Sequence, residues 1–144
     1  MSALVDSART FIGVRWKHRG RDRLGLDCAG LCFAAYAHAG VPMPEYRIYG
    51  REPHRDGLVT ETEKRLGDPV AVQPVALADL LPGDVLVMRF VKEPHHMGIV
   101  GSKRYGAVEA LTLIHADGEA GRVHEQRLTP DIAERITHVF RKPV

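Results

Sequence analysis

Residues 25–40 read GLDCAGLCFAAYAHAG, and the order of side chains in this stretch decides how the rest of the chain is read. Asp27 is a residue type favoured just before a helix, where its carboxylate accepts the unpaired N–H groups of the first turn. The stretch after it is rich in Ala and Leu, Gly40 suits the left-handed residue that closes a helix, and Pro42 follows. The pattern predicts a helix from Cys28 to Ala39 with a cysteine at its very start. A thiol is a nucleophile only as thiolate, and the free N–H groups and dipole of a helix start favour negative charge, so an activated Cys28 is expected. Cys32, one turn further in, reads as a small buried hydrophobe. Four apart in one helix, the two cysteines share a face but are poorly placed for a disulfide.

Outward toward the N-terminus, residues 3–12 put Leu4, Val5, Ala8, Phe11 and Ile12 at helical spacing, which predicts an amphipathic helix ended by Gly13. Residues 14–26 are polar and basic and contain Gly20 and Gly25, so a loop is expected there. Toward the C-terminus, residues 42–80 read as a surface excursion with a short helix at 60–66, because residues 42–74 hold five of the nine prolines. From Leu81 the texture becomes β. The turn at residues 82–84 leads into VLVMRF (85–90), a second run MGIVG (97–101) should pair with it antiparallel, and further strands are expected at 108–116, 122–127 and 137–141. A polar turn at 117–121 and a short helix near 131–135 complete the reading. Helices first, then an antiparallel sheet, make an α+β domain spanning residues 1–144.

Composition narrows the function. The chain has 144 residues, 44% hydrophobic and 26% charged, which suits one folded domain and not a disordered one. A net charge of +2 points to no polyanion partner. The basic run at residues 15–23, RWKHRGRDR, reads as a solvated loop in preference to a nucleic-acid contact. No basic start followed by an apolar run opens the sequence, and no stretch of about 20 apolar residues occurs, so neither a signal peptide nor a membrane span is expected.

A thiolate at neutral pH needs an imidazole nearby, which also returns a proton to the leaving amine. Among eight histidines, His96 stands at the opening of the strand MGIV, with Gly98 leaving room for close approach, while its neighbour His95 would face the other side. His115, at the end of the apolar run LTLIH, is a candidate for holding that base in the correct tautomer from an adjacent strand. Spacing alone does not bring the three together.

GLDCAGL at 25–31, LLPGDVL at 80–86, HMGIV at 96–100 and LIHA at 113–116 together resemble the NlpC-type family of papain-like cell-wall cysteine peptidases. The resemblance implies a papain-like fold, with the nucleophile at the start of a central helix packed on an antiparallel sheet. It implies that Cys28, His96 and His115 are the catalytic residues, with no cofactor and no metal. It further implies cleavage of peptidoglycan stem peptides, between γ-D-glutamate and diaminopimelate or lysine, through a thioester acyl-enzyme. GVRWKHRGR at 13–21 and FRKP at 140–143 are similar to the phage-tail branch of that family. Tail-tip or baseplate proteins are then the expected partners, with the chain made in the cytoplasm and carried by a virion tail. Four residues are expected to line the substrate site: Trp16, His18, Asp27 and Ala29. Trp16 and Ala29 depart from the Tyr and Ser that many members carry there, so substrate preference is less constrained than reaction type. Asp27 is expected to cap the helix first and to meet a substrate amine second.

Three rival readings stand beside this one. A zinc site on Cys28, Cys32 and His95 or His96 uses suitable donors, but it requires Cys32 to point out of a packed helix. A structural tail or hub module would keep the fold with a vestigial site, and a thiol acyltransferase would share the same nucleophile and base.

Overall fold

The computed structural model describes residues 2–43, 57–89 and 94–144, without the side chains of Pro94 and His95. The expected opposite facing of His95, and residues 44–56 of the excursion, therefore lie outside the described residues. Helix α1 (Ala3–Arg9) begins where Ser2 accepts the Val5 N–H, and it buries Leu4, Val5 and Ala8. It stops short of Ile12. Thr10 turns its hydroxyl onto the Ser7 carbonyl, the chain bends through Gly13 at φ 95°, and Ile12 is left exposed.

A two-stranded hairpin, β1 (Arg21–Asp22) and β2 (Gly25–Leu26), occupies the segment read as a plain loop. Helix α2 (Cys28–His38) follows, and Asp27 Oδ1 accepts the Gly30 N–H at 2.7 Å, the cap that the sequence pattern predicts. Leu31, Cys32, Ala35 and Tyr36 are wholly buried, the mark of a helix lodged centrally and not on the surface. Ser7 donates to the Ala35 carbonyl at 2.6 Å, fastening α1 to α2. Leaving such a buried group unpaired would cost about 1–3 kcal/mol.

The sheet has six strands in the order β3-β8-β4-β5-β6-β7, all neighbours antiparallel. They are β3 (Ala71–Val72), β4 (Val85–Arg89), β5 (Pro94–Tyr105), β6 (Val108–Asp117), β7 (Arg122–Arg127) and β8 (Ile136–Phe140). Side chains alternate between two cores, as period-2 geometry requires. Met97, Ile99, Ile114, Ala116 and Val123 pack toward the helices, whereas Leu86, Met88, Val100, Leu113 and Val139 form a second core. Helix α3 (Leu58–Leu66) starts two residues before its expected position, and α4 (Pro130–Ala133) stands between β7 and β8.

Two expectations are corrected. Residues 42–80 are not wholly an excursion: β3 returns within them to the sheet edge, paired with β8. Strand β5 begins at Pro94 and extends to Tyr105, so His96 is its third residue and not its opening one. The turn before β4 is held by charge. Gly83 takes φ 97°, and buried Asp84 accepts both the Leu81 N–H at 2.8 Å and the Arg141 guanidinium at 2.7 and 2.9 Å. Arg141 follows β8, so one ion pair fixes the register of two strands far apart in sequence.

Candidate active site

Cys28 sits at the first residue of α2, where β5 passes. The backbone N–H groups of Met97 and Ala29 are aimed at its sulfur, and the Arg21 charge acts on it. Burial nevertheless dominates: with the negative Asp27 nearby, it pushes the thiol up to about 12 from an ordinary 9.0. The expected helix-start activation is therefore corrected. Two N–H groups and a dipole do not outweigh desolvation here, so the thiol is raised and not lowered. Cys28 keeps partial exposure, whereas Cys32 is fully buried and lies in the core, which removes the donor that the zinc reading of the two cysteines required.

His96 and His115 come together. His96 Nε2 lies 2.7 Å from His115 Nδ1, and the rings meet edge to face with centroids 5.0 Å apart. His115 Nε2 in turn lies 2.8 Å from Gln126 Oε1 on β7. The chain has a direction. With the Gln126 oxygen as acceptor, a neutral His115 carries its proton on Nε2 and presents a lone pair at Nδ1. His96 then donates from Nε2, which leaves its Nδ1 as the proton acceptor. Burial, the largest cause, outweighs the Gln126 bond and lowers the His115 pKa below the ordinary imidazole value. The sequence reading missed Gln126. Its signal was only the alternation of β7, which cannot be paired with His115 until the register of β6 and β7 is known.

The substrate residues divide. Asp27 is 4% exposed, and both of its oxygens are engaged, Oδ1 by the Gly30 N–H and Arg21, Oδ2 by the Arg19 N–H at 3.0 Å. It is a cap and an anchor for the loop of residues 14–26. Ala29 is buried in the core, so it offers the site its N–H and not its methyl group. Trp16 is 39% exposed, its backbone N–H donates to the Gly121 carbonyl at 2.8 Å, and its indole stands beside Gly118. Trp16 thus borders the β6–β7 turn instead of filling the core. His18 is half-buried and close enough for its charge to act on Asp27. An open cleft of about 430 Å³, lined by His96, Asp117, Gly118, Glu119 and Arg135, adjoins the histidine pair.

The basic loop is largely spoken for. Arg21 pairs with Asp27, Arg15 bonds the Leu24 carbonyl, and Arg23 lies over the Phe11 ring at 4.1 Å while bonding the Thr10 carbonyl. Among the described residues, the cluster that could hold a metal ion contains no cysteine: it is His115, Asp117 and His124. No helix among the described residues is long and apolar enough to cross a membrane.

Residues 13–142 match the sequence profile of the NlpC/P60 family. A Mycobacterium tuberculosis protein named as a probable endopeptidase is 33% identical over 124 residues, which are 81% of this chain and 27% of that protein. The chain thus spans about a quarter of the length of the curated relatives it matches. The crystal structure of a Bacillus cereus NlpC/P60 family protein superposes with a TM-score of 0.63 at 20% identity, covering 99% of this chain and 40% of that one. The Mycobacterium tuberculosis peptidoglycan hydrolase RipB gives a TM-score of 0.58 at 20% identity over 99% of this chain and 64% of its own. The chain belongs to the NlpC/P60 family and has its papain-like fold, helices packed on an antiparallel sheet.

Proposed function

We propose that this NlpC/P60 domain is a cysteine endopeptidase that hydrolyses the stem peptides of peptidoglycan, with Cys28 as nucleophile, His96 as base and His115 holding that base. The observation that carries the reading is the contact chain from Gln126 through His115 to His96, which supports a proton on His96 Nε2 and a lone pair on its Nδ1, on the same strand whose Met97 N–H meets the Cys28 sulfur. A thiol with a pKa near 12 is a poor nucleophile unless a base removes its proton as it attacks. His96 Nδ1 takes that proton, and the imidazolium formed keeps its Nε2–H on the His115 lone pair. Sulfur bonds to the scissile carbonyl carbon, and the N–H of Cys28 at the helix start is a donor for the oxyanion. His96 then gives its proton to the leaving amine, and the thioester is resolved by water with the same imidazole as base.

The substrate bond proposed is that between γ-D-glutamate and diaminopimelate or lysine, supported by the resemblance of residues 25–31, 80–86, 96–100 and 113–116 to the wall-cutting members. We also propose that the domain works as part of a phage tail or related particle, supported by the likeness of residues 13–21 and 140–143 to that branch. Digestion of purified peptidoglycan followed by mass spectrometry tests the first reading: new muropeptide ends at that bond are expected with the native chain and none with Cys28→Ala. Turnover that persists in Cys28→Ala, or that is lost in Cys32→Ala instead, overturns the assignment.

A further inference from the structure

The hairpin of β6 and β7 carries a cluster of which the hydrolytic reading uses only His115. His115 and His124 are directly paired across the two strands, and Asp117 lies two residues from His115 on the same face. The His115 and His124 rings lie with centroids 4.7 Å apart and planes tilted by 36°, and His124 Nε2 lies 3.1 Å from Asp117 Oδ2. The other Asp117 oxygen accepts the Glu119 N–H at 2.9 Å, so the turn itself orients the carboxylate. One donor atom from each of the three lies within 4.8 Å of the other two. A closed tetrahedron with zinc–nitrogen bonds of about 2.05 Å needs donors about 3.3 Å apart, so the rings must turn to bring the three atoms onto one ion. Asp117 also lines the open cleft, which gives an ion a way in and leaves the remaining position to water.

We propose that His115, Asp117 and His124 form a regulatory site for one borderline divalent metal ion, zinc being the best match, and that its occupancy switches off the cysteine site by inverting the proton arrangement of His96 and His115. Two imidazoles and a carboxylate are a donor set suited to zinc, nickel or copper and not to magnesium or calcium. The Nδ1 of His115 faces His96 on β5, while its Nε2 faces β7, the strand that carries His124. The metal therefore takes Nε2 and displaces Gln126. A neutral imidazole bound through Nε2 keeps its proton on Nδ1, and that N–H now donates to His96 Nε2. His96 must then hold its own proton on Nδ1, the atom that has to receive the thiol proton. Each ring keeps one proton, moved between its nitrogens by exchange with water, so the switch is balanced without any other reactant. The imidazolium needed during attack is disfavoured twice, by the loss of its acceptor at His115 and by a cation beside it.

This switching rests on the reading of His96 as the base, but binding and tautomer are measurable without turnover. Zinc chloride titrated calorimetrically into Cys28→Ala, which removes the competing thiol, is expected to bind one ion per chain at micromolar concentration. His124→Ala and Asp117→Asn in that background are each expected to weaken binding at least tenfold. In ¹⁵N-labelled Cys28→Ala, the imidazole signals of His96 and His115 are expected to change from protonated Nε2 to protonated Nδ1 as zinc is added. With the native chain, zinc should abolish peptidoglycan cleavage reversibly to chelator, and each variant's inhibition is read against its own metal-free rate. No binding to Cys28→Ala at millimolar zinc, binding unaffected by His124→Ala, or unchanged tautomers would each overturn the proposal. Zinc binding with inverted tautomers, in a chain that never cuts peptidoglycan, supports the metal site and defeats the hydrolase reading.

Discussion

Strand β7 presents two faces to the molecule, and they solve the problem of buried polarity in opposite ways. On the helix side, Glu125 is 4% exposed at its side chain and is held by full charge: Arg9 of α1 donates at 3.0 and 2.9 Å and the Thr112 hydroxyl at 2.6 Å. Burial by itself would raise the carboxyl, but Arg9 and Thr112 together hold it below the ordinary glutamate value. On the other side, one residue away in each direction, His124 and Gln126 face His115, whose ring bonds an amide oxygen and a second imidazole in place of a full counter-charge. A charged pair satisfies its partners in one arrangement and resists change. A chain of imidazoles closed by an amide oxygen is satisfied too, but its protons have a direction that can be used or reversed. The first face is built to stay as it is, and the second is the one the proposed mechanism uses to pass a proton.

The largest effects are expected on the histidine face and on turnover. Cys28→Ala and His96→Ala should each lower the rate of muropeptide cleavage by about a thousandfold or more, and His115→Ala by less, while thermal midpoints move little by comparison. Liquid chromatography with mass spectrometry of timed digests measures all three. On the helix side the order reverses. Glu125→Ala strands the Arg9 charge and should cost about 3 kcal/mol of stability, roughly 10 °C in the melting midpoint, with turnover per folded molecule unchanged. The native chain should show the same loss with acid. A carboxyl with a lowered folded value contributes stability above the unfolded value near 4.5, and that contribution disappears as pH falls through the lower folded value. Melting curves of Glu125→Ala should lack this part of the acid slope.

A smaller effect sharpens the comparison on the neutral side. Gln126→Leu removes the acceptor that sets the tautomer and should reduce turnover about tenfold with little change in KM, whereas Gln126→Glu, which can only accept when ionised, should restore most of the rate. A merely structural role would make leucine and glutamate equally harmful. The smallest effect is a slope. Cys28 and Cys32 both titrate above their ordinary value because burial disfavours the thiolate, so between about pH 9 and 12 the unfolded chain releases protons that the folded chain retains. Stability should therefore fall as pH rises through that window, by up to about 1.4 kcal/mol per pH unit for each thiol. Cys32→Ala should shed part of that slope in urea unfolding followed from pH 8 to 11.

Legibility in the sequence varied with the range of the interaction. The cap at Asp27, the helix after it, the turn at Gly83 and the alternation of β4 to β7 rest on neighbours within a few residues, and they are found where the pattern put them. The missed pieces depend on distant partners. Strand β3 is two residues long and exists because β8 pairs with it, while the end of α1 was decided by a hydroxyl competing for a backbone carbonyl. For the candidate site, the sequence pointed to Cys28, His96 and His115 singly, whereas Gln126, the metal-capable trio and the exposed setting of Trp16 came only with the register of β6 against β7.

Local chemistry in the sequence was enough to determine that a cysteine opens a central helix, that a β-rich half follows, and that histidines stand at strand positions suited to meeting it. The tertiary structure alone decided the burial that raises that cysteine, the meeting of His96 with His115, and which carboxylates are spent on caps and ion pairs. The reason is that capping and alternation are set by bonds between near neighbours, whereas desolvation and hydrogen-bond direction are sums over atoms that only folding brings within reach.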